Sequence, residues 1–363
     1  MGHTIAQIAQ ALGAQAEGDL GLVVSGAAEP ALAGPTDLAI AIDPKYAMEL
    51  SRGSAAAALL WEKADWASLG LKAAILTPRG RFAMSGVTRM LDLGPQIAGG
   101  QHPTAVIDAS AQIGHGAAIA PFAVIGPGAV IGSNACIGAH VCIGPAARIG
   151  EDALILDGVR IGARVRIGDR FIAQPGAVIG GDGFSFVTPE KGAIEAVRES
   201  LGQTQGLYQQ KYARIHSLGA VRIGDDVEIG ANSSIDRGTI RDTQIGTGTK
   251  IDSLVQVGHN AVVGQDCLLC GQVGIAGSTV LGDRVVLGGQ CGVTDHLQIG
   301  DDVIAGAGTL LRTNQPAGRV MLGNPAMPMQ ASIDAYKGLR RLPRLMRDIA
   351  ALKKVLSKPD GSD

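Results

Sequence analysis

One period of six residues dominates the chain. From residue 107 to residue 179 an isoleucine recurs at every sixth position except Ala173, and glycine commonly follows it. A helix repeats every 3.6 residues and a half-buried strand every two, so neither gives a strict period of six. A hexapeptide repeat does, because each six residues form one short strand and a corner, and the coils stack into a parallel β-helix. We therefore predict a mainly β protein.

The period returns after one long gap and slips once more. It resumes over residues 223–235, loses phase through residues 237–244 and continues over residues 245–299. Residues 181–217 lack the period, and we interpret them as a loop excursion from the β-helix. Such loops commonly carry function on a repetitive scaffold, although a decorative insertion fits equally well. In a chain with 3% aromatic residues, this segment contains Phe184, Phe186, Tyr208 and Tyr212.

Sequence character divides the chain into three parts. Residues 1–100 lack the period and predict a small α/β domain that ends near Gly99-Gly100. Residues 101–316 form the predicted β-helix domain, and residues 317–363 a C-terminal helical extension. In the first domain we expect helices over residues 4–12, 46–52 and 81–91, and strands over residues 23–24, 38–42, 55–60 and 73–76.

The predicted C-terminal helix, residues 332–358, combines an apolar stripe with basic residues. Leucine and isoleucine fall on a and d heptad positions over two heptads. A solvated helix face and a docking surface for an acidic partner both explain the basic residues. The stripe is Leu342, Leu345, Ile349, Leu352 and Leu356, and the basic residues are Lys337, Arg340, Arg341, Arg344, Arg347, Lys353 and Lys354.

Composition narrows the possible function classes. The formal net charge of −2 argues against nucleic acid as a main partner. No stretch of about 18 uninterrupted apolar residues occurs, and the N-terminus lacks a secretory signal, so we expect a soluble, cytoplasmic protein. Five cysteines, an odd number, indicate reduced thiols. The lone pair Cys267 and Cys270 is expected to serve packing, because one CxxC without a second pair is weak evidence for zinc.

Stacking of coils brings one histidine next to a glycine. Three hexapeptides, 18 residues, complete one coil, so Gly277 lies directly above His259. An imidazole next to a backbone N–H provides the general base and the oxyanion donor that acyl transfer needs. His296 follows two coils and one residue later. Asp252 could orient His259 if the corner or a neighbouring chain brings the two together.

Three stretches of this sequence resemble one enzyme family. They are Ile179-Gly180-Gly181-Asp182-Gly183-Phe184, Ile235-Asp236-Arg237-Gly238-Thr239 and Lys250-Ile251-Asp252-Ser253-Leu254-Val255-Gln256-Val257-Gly258-His259-Asn260. Together they are similar to the UDP-3-O-acylglucosamine N-acyltransferases of lipid A biosynthesis. The resemblance covers essentially the whole chain. It implies an N-terminal uridine-binding domain, a left-handed parallel β-helix and a C-terminal helical extension.

The resemblance also implies roles for four residues. His259 matches the catalytic base, and Asp252 the aspartate that supports it. Gly277 matches the glycine whose N–H binds the oxyanion. His296 matches the histidine that helps to hold the oxyanion or the phosphopantetheine region of the carrier.

The family's uracil clamp has the form Phe-x-x-Asn-Pro-x-Tyr. The corresponding stretch here is Ile40-Ala41-Ile42-Asp43-Pro44-Lys45-Tyr46. Tyr46 matches, whereas Ile40 replaces the second aromatic ring and Asp43 replaces the amide. An ionised Asp43 only accepts hydrogen bonds, whereas asparagine also donates. We expect the base to stack on one side only, against Tyr46.

The implied reaction moves an acyl chain from the phosphopantetheine of acyl carrier protein to the 2-amine of UDP-3-O-acylglucosamine. It implies a homotrimer with the substrate between adjacent β-helices, in a groove lined by Ala307, Thr309 and Leu311. It requires no metal and no permanently bound cofactor. We expect the carrier to dock on basic residues near the C-terminus, which are Arg312, Arg340, Arg341, Arg344 and Arg347.

Three alternatives remain open. A sugar-nucleotide O-acyltransferase of the same pathway shares the β-helix and the histidine but lacks the N-terminal domain. A hexapeptide transferase that uses acetyl-coenzyme A takes a small acyl group, and the basic C-terminal helix favours an acidic carrier protein instead. A metal-binding β-helix of the carbonic-anhydrase type, or a purely structural one, belongs to another class. A zinc site needs about three converging histidines, and His259 is 37 positions from His296.

Overall fold

Two units make up the fold, Met1–Gln96 and Ile97–Asp363. The computed structural model describes residues 2–190, 211–323 and 326–356. Tyr208, one of the aromatic residues of the predicted excursion, lies outside the described residues.

The first unit is a five-stranded sheet with helices on its faces. Ala57, Ala58, Leu59 and Leu60 in its centre are all fully buried, so this strand appears in the sequence as an unbroken apolar run. Leu59 packs towards helices Ile5–Leu12 and Gly80–Leu91, and Leu60 towards the opposite face. The strands, in spatial order, are Gln15–Gly18, Ala73–Thr77, Ala57–Trp61, Asp37–Ala41 and Gly26–Ala28.

Two further features of this unit are local. His3–Thr4 pairs antiparallel with Val23–Val24, and the Thr4 hydroxyl caps the first helix by accepting from the Gln7 N–H. The predicted helix over residues 46–52 is instead a 3₁₀ turn, Pro44–Tyr46, followed by the short helix Ala47–Leu50. It begins earlier because the Asp43 side chain caps the turn and proline, with its fixed φ, suits the first position.

The second unit confirms the hexapeptide β-helix. Strands 18 residues apart pair in parallel, as Gln112 with Val130 and Arg148 with Arg166 show, and they form three flat faces. The first face comprises Gln112–Ile113, Val130–Ile131, Arg148–Ile149, Arg166–Ile167, Val221–Ile223, Thr243–Ile245, Val262–Val263, Val280–Leu281 and Gln298–Ile299. The second comprises Val106–Ile107, Val124–Ile125, Cys142–Ile143, Arg160–Ile161, Val178–Gly181, Ser234–Asp236, Gln256–Val257, Gly274–Ile275, Gly292–Val293 and Leu310–Leu311. The third comprises Gly100–Gln101, Ala118–Ile119, Cys136–Ile137, Leu154–Ile155, Ile172–Ala173, Glu228–Ile229, Lys250–Ile251, Leu268–Leu269, Val286–Leu287, Ile304–Ala305 and Val320–Met321.

Corners between the faces use the left-handed backbone conformation. Non-glycine residues with φ between +52° and +63° recur through the β-helix, among them Asn134, His140 and Asn260. Asparagine, aspartate and histidine tolerate this conformation better than most residues. The corner geometry therefore places particular side chains on the outside of every coil.

The single exception to the isoleucine period has a packing explanation. Ala173 occupies an inward position where neighbouring coils have Ile155 and Ile229. Phe171, two positions earlier, is also inward and fully buried. Interiors are packed as densely as organic crystals, so the large ring takes the volume that the small alanine leaves.

Two insertions interrupt the coils. Arg166 pairs with Arg222, 56 positions later, because the excursion leaves the β-helix; it carries the antiparallel strands Phe186–Val187 and Ala213–Arg214. Ser234 pairs with Gln256, 22 positions later rather than 18. The loss of phase over residues 237–244 is thus a loop that lengthens one coil.

The C-terminal helix is Met329–Leu356 and contains Pro343. A proline inside a helix removes one backbone hydrogen bond and kinks it, a feature that the heptad prediction overlooked. All five leucines and isoleucines of the predicted stripe are exposed. Contacts within the described chain therefore leave the apolar stripe uncovered.

Candidate active site

His259 lies at the corner that follows the second face. Val257 points inward and is fully buried, Gly258 turns the chain, and Asn260 adopts the left-handed conformation with φ +61°. This corner leaves the imidazole half-buried in a cavity of about 380 Å³. The cavity is lined by Asp182, Gly183, Phe184, Arg214, Asp236, Gln256, Gly258, His259, Ile275, Ala276 and Gly277.

Gly277 lies against the imidazole, as the stacking of coils predicts. A Cβ at position 277 would lie 2.9 Å from both Nε2 and Cε1 of His259. Any larger residue would displace the ring, so glycine at this position makes room for it. The Nε2 edge of His259 thereby faces the coil above and the cavity.

The excursion begins directly on this histidine. A Cβ at Gly183 would lie 2.7 Å from the His259 Cβ, and the Gly183 N–H donates to the buried Ser217 hydroxyl at 3.2 Å. The two ends of the excursion are therefore tied together beside the ring. Sequence reasoning identified the excursion but not this packing.

Charged and aromatic groups of the excursion complete the cavity. Arg214 lies 3.6 Å from the Asp182 carboxylate, and its guanidinium lies 5.0 Å from the centre of the Phe186 ring. Phe184, 86% exposed, lines the opening of the cavity and contacts Phe186 edge-on. The cavity therefore presents one guanidinium, two carboxylates and an exposed aromatic ring to a ligand.

Asp236 is a cavity residue to which sequence reasoning gave no role. Burial raises the pKa of its carboxyl, whereas hydrogen bonds from Gln256 and Ser234 and the charge of His259 act in the opposite direction. A titratable group held near a histidine in a cavity is typical of functional sites. One feature of the sequence could have identified it: Asp236 follows the inward Ile235 at a position where glycine commonly occurs.

Asp252 does not approach His259 within one chain. It follows the third face, and its carboxylate accepts from the Ser253 N–H at 2.7 Å. It lines a different cavity, together with Glu228, Lys250 and Cys270. The nearest hydrogen-bond partner of His259 Nδ1 is instead Asn260 Oδ1, at 2.9 Å. Of the two routes expected for Asp252, the corner is therefore wrong.

His296 lies two coils further along the same corner. Its backbone N–H donates to the Gly277 carbonyl at 3.2 Å, and its side chain is exposed in a left-handed conformation with φ +60°. Two parallel strand spacings separate its coil from that of His259, about 10 Å. Its predicted role with the donor thioester stays a prediction.

Of the three groove residues expected near the C-terminal coils, Ala307 is exposed, whereas the other two point inward. Thr309 and Leu311 are 4% and 2% exposed and point into the β-helix. On the outside, Leu310 lines an apolar depression of about 400 Å³ next to Gly274 and Gly292. The period had marked Leu311 as inward, so the sequence already contained this correction.

Ile40 and Tyr46 meet in a cavity of the first unit. The cavity has a volume of about 450 Å³ and is lined mainly by apolar side chains. Lys45 lies 4.9 Å from the centre of the Tyr46 ring. The full lining is Ala27, Ala28, Glu29, Pro30, Ile40, Ile42, Tyr46, Glu49, Met84 and Thr88.

Asp43, the third predicted residue of this site, does not line that cavity. Its carboxylate accepts from the Lys45 N–H at 3.0 Å and lies 3.4 Å from the Lys45 Nζ. The backbone hydrogen bond from Lys45, assisted by the Lys45 charge, holds the pKa of Asp43 below its usual value. Its role in the described structure is therefore to cap the 3₁₀ turn that presents Tyr46.

The basic residues predicted to bind the carrier are exposed. Arg344 lies 3.9 Å from Asp348 on the same helix, and Arg312 follows the inward Leu311 at the end of the last strand of the second face. The set is Arg312, Arg340, Arg341, Arg344 and Arg347.

The described residues contain neither a cluster suited to a metal ion nor a membrane-spanning helix. No cluster of three or more histidine, cysteine or acidic side chains has the geometry to hold a metal ion. None of the described helices is long and apolar enough to span a bilayer.

Comparison with known proteins identifies the family. A family model for bacterial transferase hexapeptide (six repeats) matches residues 110–145. The UDP-3-O-acylglucosamine N-acyltransferase of Ruegeria pomeroyi is 62% identical over 363 residues, which cover the whole of both chains. The Paracoccus denitrificans protein of that name is 61% identical over 355 residues, 98% of this chain and 97% of its own.

A solved structure supports the fold alone. Arabidopsis UDP-N-acetylglucosamine acyltransferase superposes with a TM-score of 0.51 at 20% identity, over 61% of this chain and 71% of its own. The full-length identities to the two bacterial enzymes carry the assignment, and the N-terminal unit and the His259 corner agree with it. The chain belongs to the family of UDP-3-O-acylglucosamine N-acyltransferases.

Proposed function

We propose that this chain moves an acyl group from acyl carrier protein to the 2-amine of a UDP-3-O-acylglucosamine. The names of the full-length relatives support the acceptor. The observation that carries the chemistry is the His259 imidazole, half-buried in a cavity with its Nε2 edge against Gly277.

The reaction needs one base and one oxyanion donor. The neutral amine attacks the thioester carbonyl while His259 Nε2 removes its proton, and a C–N bond forms. The Gly277 N–H, on the coil above, stabilises the oxyanion. The tetrahedral intermediate then breaks its C–S bond, and the imidazolium returns the proton to the departing phosphopantetheine thiolate. An imidazole suits this role because its pKa lies near neutrality.

Substrate parts are assigned to the cavities by their chemistry. The acyl chain suits the apolar depression beside Gly274, Gly292 and Leu310, since burying its methylenes gains about 0.8 kcal/mol each. The uracil ring suits the cavity of the first unit, where it would stack on Tyr46 with Ile40 opposite. His296 would contact the phosphopantetheine end of the donor.

Assembly and partners complete the proposal. A homotrimer would bring Asp252 of one subunit to His259 of the next, the route that the single chain leaves open. The exposed arginines Arg340, Arg341, Arg344 and Arg347, with Arg312, would dock the acidic carrier protein in the cytoplasm. His259 and Gly277 supply the base and the oxyanion donor, so the proposed chemistry uses neither a metal nor a bound cofactor.

Donor and acceptor competition tests this function. The enzyme is incubated with acyl carrier protein thioester or acyl-coenzyme A, and with acceptors carrying either a 2-amine or a 2-hydroxyl. We expect amide product from the carrier thioester and the amine, unchanged after prior dialysis against a chelator. Ester product would favour the O-acyltransferase, and a preference for coenzyme A would favour the acetyl transferase class. Loss of turnover that added metal restores would overturn the metal-free reaction.

A further inference from the structure

The 237–243 insertion, a loop that lengthens its coil by four residues, contacts the His259 corner. Regular coils need no such loop, and here it folds back onto the corner that carries the proposed base. A Cβ at Gly238 would overlap the Arg241 carbonyl oxygen, so the loop is a tight turn. From this loop the Thr239 hydroxyl lies 3.5 Å from His259 Nδ1, and four further hydrogen bonds join the loop to Asn260.

Asn260 is 8% exposed and uses every polar group that it has. Its Oδ1 accepts from the Thr239 N–H at 3.1 Å, and its Nδ2 donates to the Arg241 carbonyl at 3.1 Å. Its backbone carbonyl accepts from Arg241 Nη2 at 2.9 Å, and its backbone N–H donates to the Thr243 hydroxyl at 2.9 Å. The inserted loop thus fixes the side chain of Asn260 from both sides.

These bonds determine which end of the amide faces His259. Exchanging the amide oxygen and nitrogen would set NH₂ against the Thr239 N–H and one carbonyl oxygen against another, so only the arrangement described satisfies both partners. The atom 2.9 Å from His259 Nδ1 is therefore an acceptor. Nδ1 must carry the proton, which leaves the lone pair of a neutral imidazole on Nε2, towards Gly277.

We propose that Asn260 is a positioning residue that selects the Nδ1–H tautomer of His259, and that the 237–243 insertion exists to orient its amide. The proposal rests on the function of His259 as the base. It assigns to Asn260, within one chain, the orienting task that a carboxylate performs in a hydrolase triad. Unlike a carboxylate, a neutral amide fixes the tautomer without adding a charge that raises the pKa of the imidazole.

Other charged groups face the same ring as Asn260. Asp236, Asp182 and Arg214 line the cavity, and Arg241 approaches from the inserted loop. Each test therefore changes Asn260 alone and leaves these groups in place.

Kinetics of two variants make the first test. Asn260→Ala should lower kcat on the order of 10–100-fold, less than loss of the base itself, with the KM for the UDP-sugar within about twofold. Asn260→Asp keeps an acceptor at Nδ1 and adds negative charge, so it should recover part of the kcat. Because the added charge favours the imidazolium, the acid limb of the kcat/KM profile should move to higher pH.

A matched control separates positioning from corner stability. Asn134 has the same left-handed backbone, φ +57°, and its amide donates to Asp152 at 3.1 Å, remote from the cavity. Asn134→Ala should leave kcat and the pH profile unchanged. If Asn260→Ala does not fold, the pH profile of kcat/KM for Asn260→Asp decides the question. An acid limb at the wild-type pH would overturn the proposal.

Nitrogen NMR of the full-length protein with ring-¹⁵N histidine reads the tautomer without reference to activity. His259→Gln identifies the resonances among seven histidines. We expect a protonated Nδ1 and an unprotonated Nε2 in the wild type, and loss of that preference in Asn260→Ala. The wild-type tautomer persisting in Asn260→Ala would overturn the proposal. If the tautomer depends on Asn260 but His259→Ala retains full turnover, the positioning stands and the base assignment fails.

Discussion

The coils before the excursion and those after it share one backbone but use the same corner differently. Along the edge that follows the second face, the early coils place Pro127 and Pro145 where the later ones place His259 and Gly277. The backbone bonds are equivalent: the Ala146 N–H donates to the Pro127 carbonyl, and the Ser278 N–H to the His259 carbonyl, both at 2.9 Å. Only the side chains and the two insertions differ.

This comparison separates what stabilises the scaffold from what acts on a substrate. At the corner that follows the first face, side chains bond one coil to the next in early and late coils alike. The Glu151 N–H donates to the Asp169 carboxylate, and the Gln265 N–H to the Asp283 carboxylate, both at 2.8 Å. In the later coils, an imidazole packs against a glycine and an insertion braces it. Chemistry is therefore expected where the period is broken, and stability where it is kept.

Removing the His259 imidazole should abolish the function of the later coils without changing their structure. His259→Ala is expected to lower turnover on the order of 10²–10⁴-fold, because the general base is lost, with the oligomer unchanged by light scattering. The control is His140→Ala, an early-coil corner histidine whose ring stacks on Phe122 at 5.2 Å. Retention of more than about half the activity in His259→Ala would assign the base to another residue.

A substitution inside the early coils should instead lower the stability of the fold. Phe171→Ala is expected to cost about 3–5 kcal/mol of unfolding free energy, since the neighbouring Ala173 cannot fill the cavity. Adding Ala173→Ile should return part of that loss, whereas Ala173→Ile alone overpacks the coil and costs about 1–3 kcal/mol. Denaturant unfolding of the four proteins measures the coupling. Strictly additive effects would show that the two positions do not share one volume.

The period alone sufficed for the β-helix and for the stacking of Gly277 on His259. Periodicity fixes which residues point inward and which lie 18 positions apart, so even the side chain of Leu310 could have been assigned to the exterior. Contacts made by the insertions could not be predicted in this way. The packing of Gly183 on His259 and the hydrogen bonds of Asn260 join segments with no shared repeat. The corner route from Asp252 to His259 fails because seven positions in sequence is more than one hexad and leads to a different face.

Tyr46→Ala should weaken binding of the acceptor, the UDP-sugar, and leave the chemical step unchanged. Loss of base stacking on one ring is expected to weaken binding of the UDP-sugar by about 1–3 kcal/mol. The KM for the UDP-sugar should therefore rise, with kcat nearly unchanged. Ile40→Phe is the informative partner variant, since a second ring opposite Tyr46 should lower that KM. Identical kinetics for Tyr46→Ala and wild type would show that the base binds elsewhere.

His296→Ala should have a smaller effect than His259→Ala, at the same corner two coils later. We expect a defect of a few-fold, expressed partly in the KM for the acyl carrier protein, since loss of one neutral hydrogen bond costs about 1 kcal/mol. Saturation curves for each substrate measure it. Parameters equal to those of the wild type would make His296 an ordinary surface residue.

Charge reversal on the C-terminal helix should have a small and selective effect. Arg341 and Arg344 lie off the apolar stripe of that helix, so an interhelical core would not need them. Arg341→Glu with Arg344→Glu should raise the KM for acyl carrier protein several-fold and spare the KM for the UDP-sugar. Higher ionic strength should shrink the difference, because exposed charges are screened over about 10 Å at 0.1 M salt. Reversal of Lys353 and Lys354 in the last turn is the matched control.

Helix stability needs its own control in that experiment. Glutamate at position 344 would face Asp348, now the partner of Arg344 at 3.9 Å, and like charges four residues apart cost about 0.2–0.5 kcal/mol. Circular dichroism and light scattering show whether helix and assembly survive. If both survive and the KM for the carrier rises alone, the arginines dock the carrier. If both KM values change equally, or neither does, the arginines have no docking role, and the exposed stripe of Leu342, Leu345 and Ile349 would then make the helix a trimerisation element.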